Sequence, residues 1–366
     1  MWLADNVAQI AAVVTNGCDP DPRVIREARW LVELGHEVTV HAFDRTENLP
    51  ISEEVDGVLI RRYRVGKTPY GATIRTWRGI RKFLKKVATQ IGDVDLIHLH
   101  DADTLNLATK ISGPKKLFDM HDLQHTWVRM SAPKSFPRKF VSSRMKKSML
   151  RRARTVDAII TSSQGFSNWL EHHGLQSTPV ENRPESMLHP DLPSKYSIGY
   201  FGKVRETRSF ELLFQAVSLI PEAKRPHIVI GGDGTKIGNV KSFATKYPDL
   251  DIEFIGKFNH QQLPTMMSKI SVMFAMYSPE RGNINEGAIP SKMFEAAAYG
   301  RPSIVNANTP MGDLCKSENL GAVVKWNDIQ GLSTAISKLN GTKTELNIDS
   351  KRERERFSKV IDELRI

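Results

Sequence analysis

Short apolar runs alternate with helix-patterned segments along nearly the whole chain, and a proline-rich stretch interrupts the alternation once. That pattern constrains the fold more than any single motif does. Alternating strands and helices build parallel sheets with helices on their faces. In the first half, strands are expected at residues 7–15, 36–43, 58–65, 95–100, 115–120, 157–161 and 178–181. Arg61, Arg62 and Arg64 give the strand over 58–65 the character of a sheet edge. Helices are expected at 73–91, 104–111, 138–155 and 163–173. Another opens at Asp21-Pro22, where an acidic N-cap precedes a proline whose missing N–H costs nothing. Ile25, Ala28, Leu31 and Leu34 give that helix its stripe, and Gly35 stops it. The helix over 73–91 carries Ile74, Trp77, Ile80, Leu84, Val87 and Ile91 at helical spacing.

Pro184, Pro190 and Pro193 fall within 182–197, a linker composition. Beyond it, strands at 198–201, 227–230, 252–255, 271–276, 303–305 and 322–324 alternate with helices at 210–220, 240–247, 263–267 and 329–339. A chain of 366 residues exceeds one ordinary core. The expected architecture is α/β: two Rossmann-like domains, 1–187 and 188–350, facing each other across a cleft. A charged helix over 351–366 is expected to pack back on the first domain. In such sheets ligands bind outside the C-terminal strand ends.

Hydrophobic residues make up 40% of the chain, which places it with soluble globular proteins. The two cysteines, Cys18 and Cys315, are far apart and suit a reducing compartment rather than a disulfide framework. The N-terminal stretch MWLADNVAQIAAVV carries Asp5 and no basic flank, so it reads as a first strand rather than a signal peptide. No uncharged apolar run is long enough to span a bilayer. Together these features predict a cytoplasmic protein. The net charge of +11 calls for an anionic partner: nucleic acid, a lipid surface or a phosphorylated small substrate.

The stretch 288–305, AIPSKMFEAAAYGRPSIV, is the richest in chemistry. It reads as a loop, a short helix with Pro290 in its first turn, a stop at Gly300 and a buried strand. Met293, Phe294, Ala297 and Ala298 share an apolar face. Glu295 is the one acid, and Lys292 precedes it by three residues on the same side. Such a pair can be a plain surface ion pair. At a helix N-terminus, whose unpaired amides attract anions, it also suits a nucleotide diphosphate, with the carboxylate on the ribose diol.

Gly202-Lys203 follows the strand over 198–201, and Arg208 lies at the start of the next helix. Two cations at a strand end suit a diphosphate, although each alone could be a surface charge. Gly231-Gly232-Asp233-Gly234 follows another strand; such turns admit close backbone approach, and tight turns use the same residues. No Gly-Lys-Ser/Thr follows it, which excludes a Walker A loop. No Gly-x-Gly-x-x-Gly opens the first helix, which counts against a nicotinamide dehydrogenase. His100-Asp101 and His121-Asp122 end successive strands, either as hydrogen-bonded loop residues or as groups facing a ligand. A zinc site of His98, His100, Asp101 and His121 is a further alternative. These residues lack zinc-ligand spacings, so no metal is expected.

The run Pro290-x-Lys292-x-x-Glu295, followed by small residues, Gly300, Arg301 and Pro302, resembles the donor-binding motif of glycosyltransferase family 4, whose members have the GT-B fold. Asp21-Pro22-Arg23, Arg26-Glu27 and Gly35-His36-Glu37-Val38 resemble the first helix of many members. The resemblance covers nearly the whole chain, weakly between residues 47 and 94. It implies sugar transfer, with retention of anomeric configuration, from a UDP- or GDP-sugar to a lipid-linked or glycan acceptor, without metal or other cofactor. It implies donor-binding roles for Gly17, Gly202, Gly232, Gly234, Ser291, Lys292 and Glu295. Lys203 and Arg208 are then the cations on the departing diphosphate, in exchanged order relative to the family's Arg and Lys. His121 is the implied positioning group, with His100, Asp101 and Asp122 on the acceptor side. The family's first glutamate falls at Gly287, and Glu286 is one residue out of register.

From 123 to 156 the chain holds no acidic residue and ten basic ones. Val141, Met145, Met149, Ala153 and Val156 form a partial apolar stripe through this run. The helix over 73–91 sets Arg75, Arg78, Arg81, Lys82, Lys85 and Lys86 opposite its own stripe. Two basic amphipathic helices suit an anionic membrane surface; a solvated face is the plain alternative. No nucleic-acid motif accompanies them, so nucleic acid is not an expected partner. The rival functions are a sugar-nucleotide epimerase of the same fold and a non-catalytic sugar-nucleotide or polyanion-binding protein.

Overall fold

The computed structural model describes residues 7–366 except Pro20, Ala72, Ser131 and Pro133; residues 1–6 of the expected first-strand stretch therefore lie outside the described residues. Contacts divide the chain into two compact units. One runs to Glu181 and includes Glu353–Ile366; the other is Asn182–Arg352. The division falls six residues before the expected 187/188 boundary.

The first unit contains β1 (Gln9–Val14), α1 (Pro22–Glu33), β2 (Glu37–Phe43), β3 (Ser52–Val55), β4 (Val58–Tyr63), α2 (Ile74–Gln90), β5 (Leu96–His100) and β6 (Lys115–Met120). It continues with α3 (Gln124–Trp127), α4 (Phe136–Ala153), β7 (Ala158–Thr161), α5 (Gln164–Glu171) and β8 (Thr178–Pro179). Among the described residues its sheet runs β3-β4-β2-β1-β5-β6-β7-β8, parallel except for β3 against β4. The order reverses between β1 and β5, so the loops after these two strands diverge and leave a crevice at their C-terminal ends. Local signals account for the starts of α1, α2 and α5. The Asp21 side chain accepts from Val24 N at 3.3 Å, and Thr73 and Ser163 cap α2 and α5 in the same way.

The second unit contains β9 (Ser197–Phe201), α6 (Arg208–Ser218), β10 (His227–Gly231), α7 (Ile237–Ala244), β11 (Ile252–Gly256), α8 (Leu263–Ser268) and β12 (Val272–Ala275). Then come α9 (Ser291–Ala298), β13 (Ser303–Asn306), α10 (Pro310–Ser317), β14 (Gly321–Val324) and α11 (Ile329–Lys338). Its sheet is parallel, in the order β11-β10-β9-β12-β13-β14, and reverses between β9 and β12. The last helix, α12 (Ser350–Leu364), puts Phe357, Val360, Ile361 and Leu364 into one core cluster with Val24, Ala28 and Leu31 of α1; the Phe357 ring lies 5.7 Å from that of Trp30. Full burial of four such side chains supplies a strong apolar reason for the helix to join the first unit.

The structure corrects several sequence expectations. β4 is not an edge: β3 pairs outside it. Arg62, one of the three arginines that suggested an edge, is buried. It donates to the carbonyls of Gly17 (2.7 Å), Cys18 (3.2 Å) and Pro50 (3.1 Å) and pairs with Glu53. Its charge ties the loop after β1 to the sheet. In α2 the buried face is Ile80, Phe83, Leu84 and Val87, while Ile74 and Trp77 are exposed. Phe83 stacks on Phe43 at 5.0 Å, which turns the helix so that Trp77 faces outward. The expected helix over 104–111 is only a 3-10 turn, Thr104–Asn106. Helix α10, capped by Thr309 and opened by Pro310, was not expected.

Candidate functional site

The C-terminal ends of β9 and β12, on either side of the sheet reversal, open into a pocket of about 350 Å³ in the second unit. Gly202 and Lys203 leave β9 at its floor, and Ser291, Lys292 and Glu295 project from the first turns of α9. Five expected donor-site residues therefore meet in one place. Pro290 is the N-cap of α9 rather than its first helical residue, and Ser291 opens the helix. Met293, Phe294, Ala297 and Ala298 anchor the helix in the core, as their spacing predicts.

Lys292 is the unusual group. Its side chain is buried, and Nζ has no hydrogen-bond partner among the described residues. Nζ lies 3.3 Å from the centroid of the Tyr200 ring and 5.6 Å from that of Tyr277. A Cβ on Gly202 would sit 3.4 Å from it. Burial holds the ammonium well below the ordinary lysine range; Glu295 counters in part and Arg281 adds to the lowering. A desolvated cation at a helix N-terminus, cushioned only by ring faces, is arranged to receive an anion.

The remaining expected residues of this unit fall elsewhere. Arg208 opens α6 outside the pocket, where it donates to Glu211 (3.2 Å) and Asn327 (3.4 Å). Instead, Arg205 and Arg281 line the pocket, together with Tyr200, Tyr277 and Phe258. Sequence reasoning missed them; Arg205 shares the loop with Lys203, and Arg281 follows the Ser-Pro-Glu turn after β12. Gly232 and Gly234 are also not on the pocket wall. Both have positive φ, and a Cβ would fall 2.0 Å from Gly202 O or 2.2 Å from Val204 O. Their small size lets the turn after β10 pack against the backbone of the Gly202–Val204 loop, which Val204 N anchors by donating to Asp233 O at 2.7 Å. Lys203 pairs with the Asp233 side chain in the same contact. Gly287 is buried at φ 133°, and Glu286 is exposed and off the wall.

In the first unit, His100, Asp101 and His121 converge at the ends of β5 and β6. The sequence reading did not anticipate their centre, Asp119. Its buried carboxylate accepts from Arg23 Nε (2.8 Å) and Nη2 (2.6 Å), with His121 Nε2 at 2.6 Å and His100 Nδ1 at 3.1 Å. Asp101, at φ 66°, lies 3.6 Å from His121 Nδ1. Burial alone would lower the His121 pKa, but Asp119 and Asp101 outweigh it and raise it to about 10. Burial raises Asp101 to about 7 against the pull of His121. Asp122 is turned to other partners, accepting from Leu123 N (2.7 Å) and Trp127 Nε1 (2.9 Å). Gly17 is held by Arg62, and a Cβ there would meet Leu49 at 2.5 Å.

Among the described residues, one group brings metal-type ligand atoms within 4.8 Å of one another: Glu27, His98, His100 and Asp119. It differs from the zinc set considered from sequence. Arg23 grips Asp119 with two bonds and lies 3.1 Å from Glu27, so a guanidinium holds the position a metal cation would need. This donor set fits an ion-pair network rather than a metal.

The comparisons with known proteins bear on the family and the fold. Residues 23–182 match Glycosyltransferase Family 4, and residues 195–341 match Glycosyl transferases group 1. The chain belongs to this family and is a glycosyltransferase with two Rossmann-like domains of the GT-B fold. A sucrose-phosphate synthase from Thermosynechococcus elongatus superposes with a TM-score of 0.75 at 17% identity, over 96% of this chain and 94% of that one. HepE of Anabaena, solved with UDP and glucose, gives 0.67 at 12% identity, over 97% and 99%. The catalytic domain of starch synthase IV from Arabidopsis thaliana, bound to ADP and acarbose, gives 0.63 at 12% identity, over 97% and 95%. A search of curated protein sequences returns no match.

The His121–Asp119 pair makes stability pH-dependent. The folded pKa of His121, about 10, exceeds the ordinary histidine value of about 6.5, so the pairing contributes fully below pH ~6.5 and fades as pH rises through about 10. The stability difference between wild type and His121→Asn, measured by urea unfolding, should be largest near pH 6 and shrink toward pH 10. A difference that does not change over this range would refute the assignment.

Proposed function

We propose that the second-unit pocket binds a nucleotide-sugar donor, UDP- or GDP-linked, and that the enzyme transfers the sugar with retention to a lipid-linked or glycan acceptor without a metal. The observation that carries this reading is Lys292, a buried lysine at the N-terminus of α9 whose Nζ has no hydrogen-bond partner among the described residues, with Glu295 one turn further in. A donor diphosphate at the helix N-terminus would give the ammonium its missing partner. Lys203, Arg205 and Arg281 add positive charge for the diphosphate as it departs, which is where catalysis needs it. Glu295 would take the ribose diol. The aromatic wall of Tyr200, Tyr277 and Phe258 offers apolar surface to the rest of the donor. His121, held cationic by Asp119 and Asp101, would position the acceptor hydroxyl. The neighbours solved with UDP and with ADP favour a nucleotide donor.

Transfer or donor hydrolysis, assayed over a panel of nucleotide sugars with chelator present, tests this reading. Glu295→Ala should cost about 1.5–3 kcal/mol in donor binding or turnover, the worth of a charged hydrogen bond to ligand, and leave the melting temperature within a few degrees. Unchanged turnover in Glu295→Ala would remove the donor assignment.

The location proposed is the cytoplasmic face of an anionic membrane. No helix of the described residues is long and apolar enough to cross a bilayer. On α4, Phe136, Phe140, Val141 and Met145 are exposed beside the basic residues of the acid-free run, so both an apolar and a cationic means of surface binding are present. Each cation near an anionic leaflet contributes roughly 1 kcal/mol, fading within a Debye length. Exchange of Lys146, Lys147, Arg151 and Arg152 for Gln should reduce co-sedimentation with anionic vesicles at low salt. Equal sedimentation of the variant and wild type would show that the face is only solvated.

A further inference from the structure

A second pocket, of about 430 Å³, lies in the first unit, walled by α2, α4 and the loops after β5 and β6. We infer that it binds the acceptor, and that this acceptor is an amphiphile joining a phosphate to an apolar chain. The inference rests on the glycosyl-transfer reading above and narrows it.

The wall combines three chemistries. Leu84, Met145 and Met149 supply apolar surface, and the thioethers adapt to an irregular chain. Arg81, Lys110 and Arg152 supply three cations, none of which forms an ion pair among the described residues. Two acids, Asp103 and Asp122, share the wall and offset part of this charge, so the cations outnumber the acids by one; Asp122 accepts from Leu123 N and Trp127 Nε1, and Asp103 from Thr15 Oγ1 at 3.5 Å. Gln124 is more than nine-tenths buried, and its Oε1 has no hydrogen-bond partner among the described residues. A buried acceptor in that state is costly unless a ligand donates to it, and an acceptor hydroxyl would do so.

The pocket rim continues the same chemistry outward. Trp77 is exposed there with the Arg81 guanidinium 4.5 Å over its ring. Ile74 on α2, and Phe140 and Val141 on α4, are exposed as well. An apolar chain can therefore leave the pocket past the exposed Trp77 ring, while its phosphate stays among the cations. A free phosphate would leave the apolar wall unused, and an uncharged glycan would leave the excess positive charge unmatched.

Calorimetric titration of the full chain tests this with three probes: octyl phosphate below its aggregation concentration, inorganic phosphate and octyl glucoside. Octyl phosphate should bind once per chain, at least tenfold more tightly than either of the others. Arg81→Gln combined with Arg152→Gln should weaken it at least tenfold. Met149→Trp, which fills the pocket, should weaken it to a similar extent. Titration of each variant with UDP and GDP reports the donor pocket separately, and cooperative thermal unfolding near the wild-type temperature shows that the first unit is folded. The inference is overturned if octyl phosphate binds no better than inorganic phosphate or octyl glucoside, or if both variants bind it as wild type does. Loss of nucleotide binding in wild type would instead count against the donor reading.

Discussion

A buried lysine without a hydrogen-bond partner is the constraint around which the second unit is built. The core needs Met293, Phe294, Ala297 and Ala298 of α9 on one side, and that packing carries Lys292 inward with them. The protein answers the burial with ring faces, Tyr200 directly under Nζ and Tyr277 behind it, and in part with the Glu295 carboxylate. Gly202 keeps the approach open, because a side chain there would stand against Nζ. Gly232 and Gly234 in turn keep the Gly202–Val204 loop in place. The glycines, tyrosines and helix start thus serve one buried amine, whose charged form a bound anion would stabilise.

The first unit solves the opposite problem. There the buried charge is an anion, Asp119, and it is fully satisfied: α1 contributes Arg23, β5 contributes His100, and His121 closes the set. Breaking such a network by removing one member leaves a buried charge exposed to low dielectric, so the network also fixes where α1 lies against β5 and β6. It holds the two histidines rigidly at strand ends and keeps one of them cationic through neutral pH.

Much of this was legible in the sequence, for identifiable reasons. Parallel strands buried on both faces produce dense apolar runs, so strands such as β1, β5 and β12 could be placed from composition alone. The Pro290–Pro302 segment encodes its own helix start and stop, which is why Ser291, Lys292 and Glu295 could be named in advance; Gly202 and Lys203 could be named because they follow a clear apolar strand. What escaped depends on distant packing. The place of β3 outside β4 follows from pairing, not from local pattern. The outward turn of Trp77 follows from Phe83 reaching Phe43. Arg208, expected as the second diphosphate cation, opens α6 and donates to Glu211 and Asn327, while Arg205 and Arg281, which were not expected, line the wall. Asp119 was hidden because a lone acid at the end of an apolar strand gives no hint of an arginine 96 positions away.

The central claim is that Lys292 waits for an anion. Calorimetric titration with UDP and GDP over a range of pH, repeated in buffers of different ionisation enthalpy, measures it directly. Because burial lowers the Lys292 pKa in the empty pocket, a bound diphosphate should restore the charge and draw a proton from solution. The account predicts net proton uptake on binding to wild type, with uptake lost and affinity much reduced in Lys292→Met. Binding of equal affinity in the two proteins, with no proton taken up by either, would contradict it.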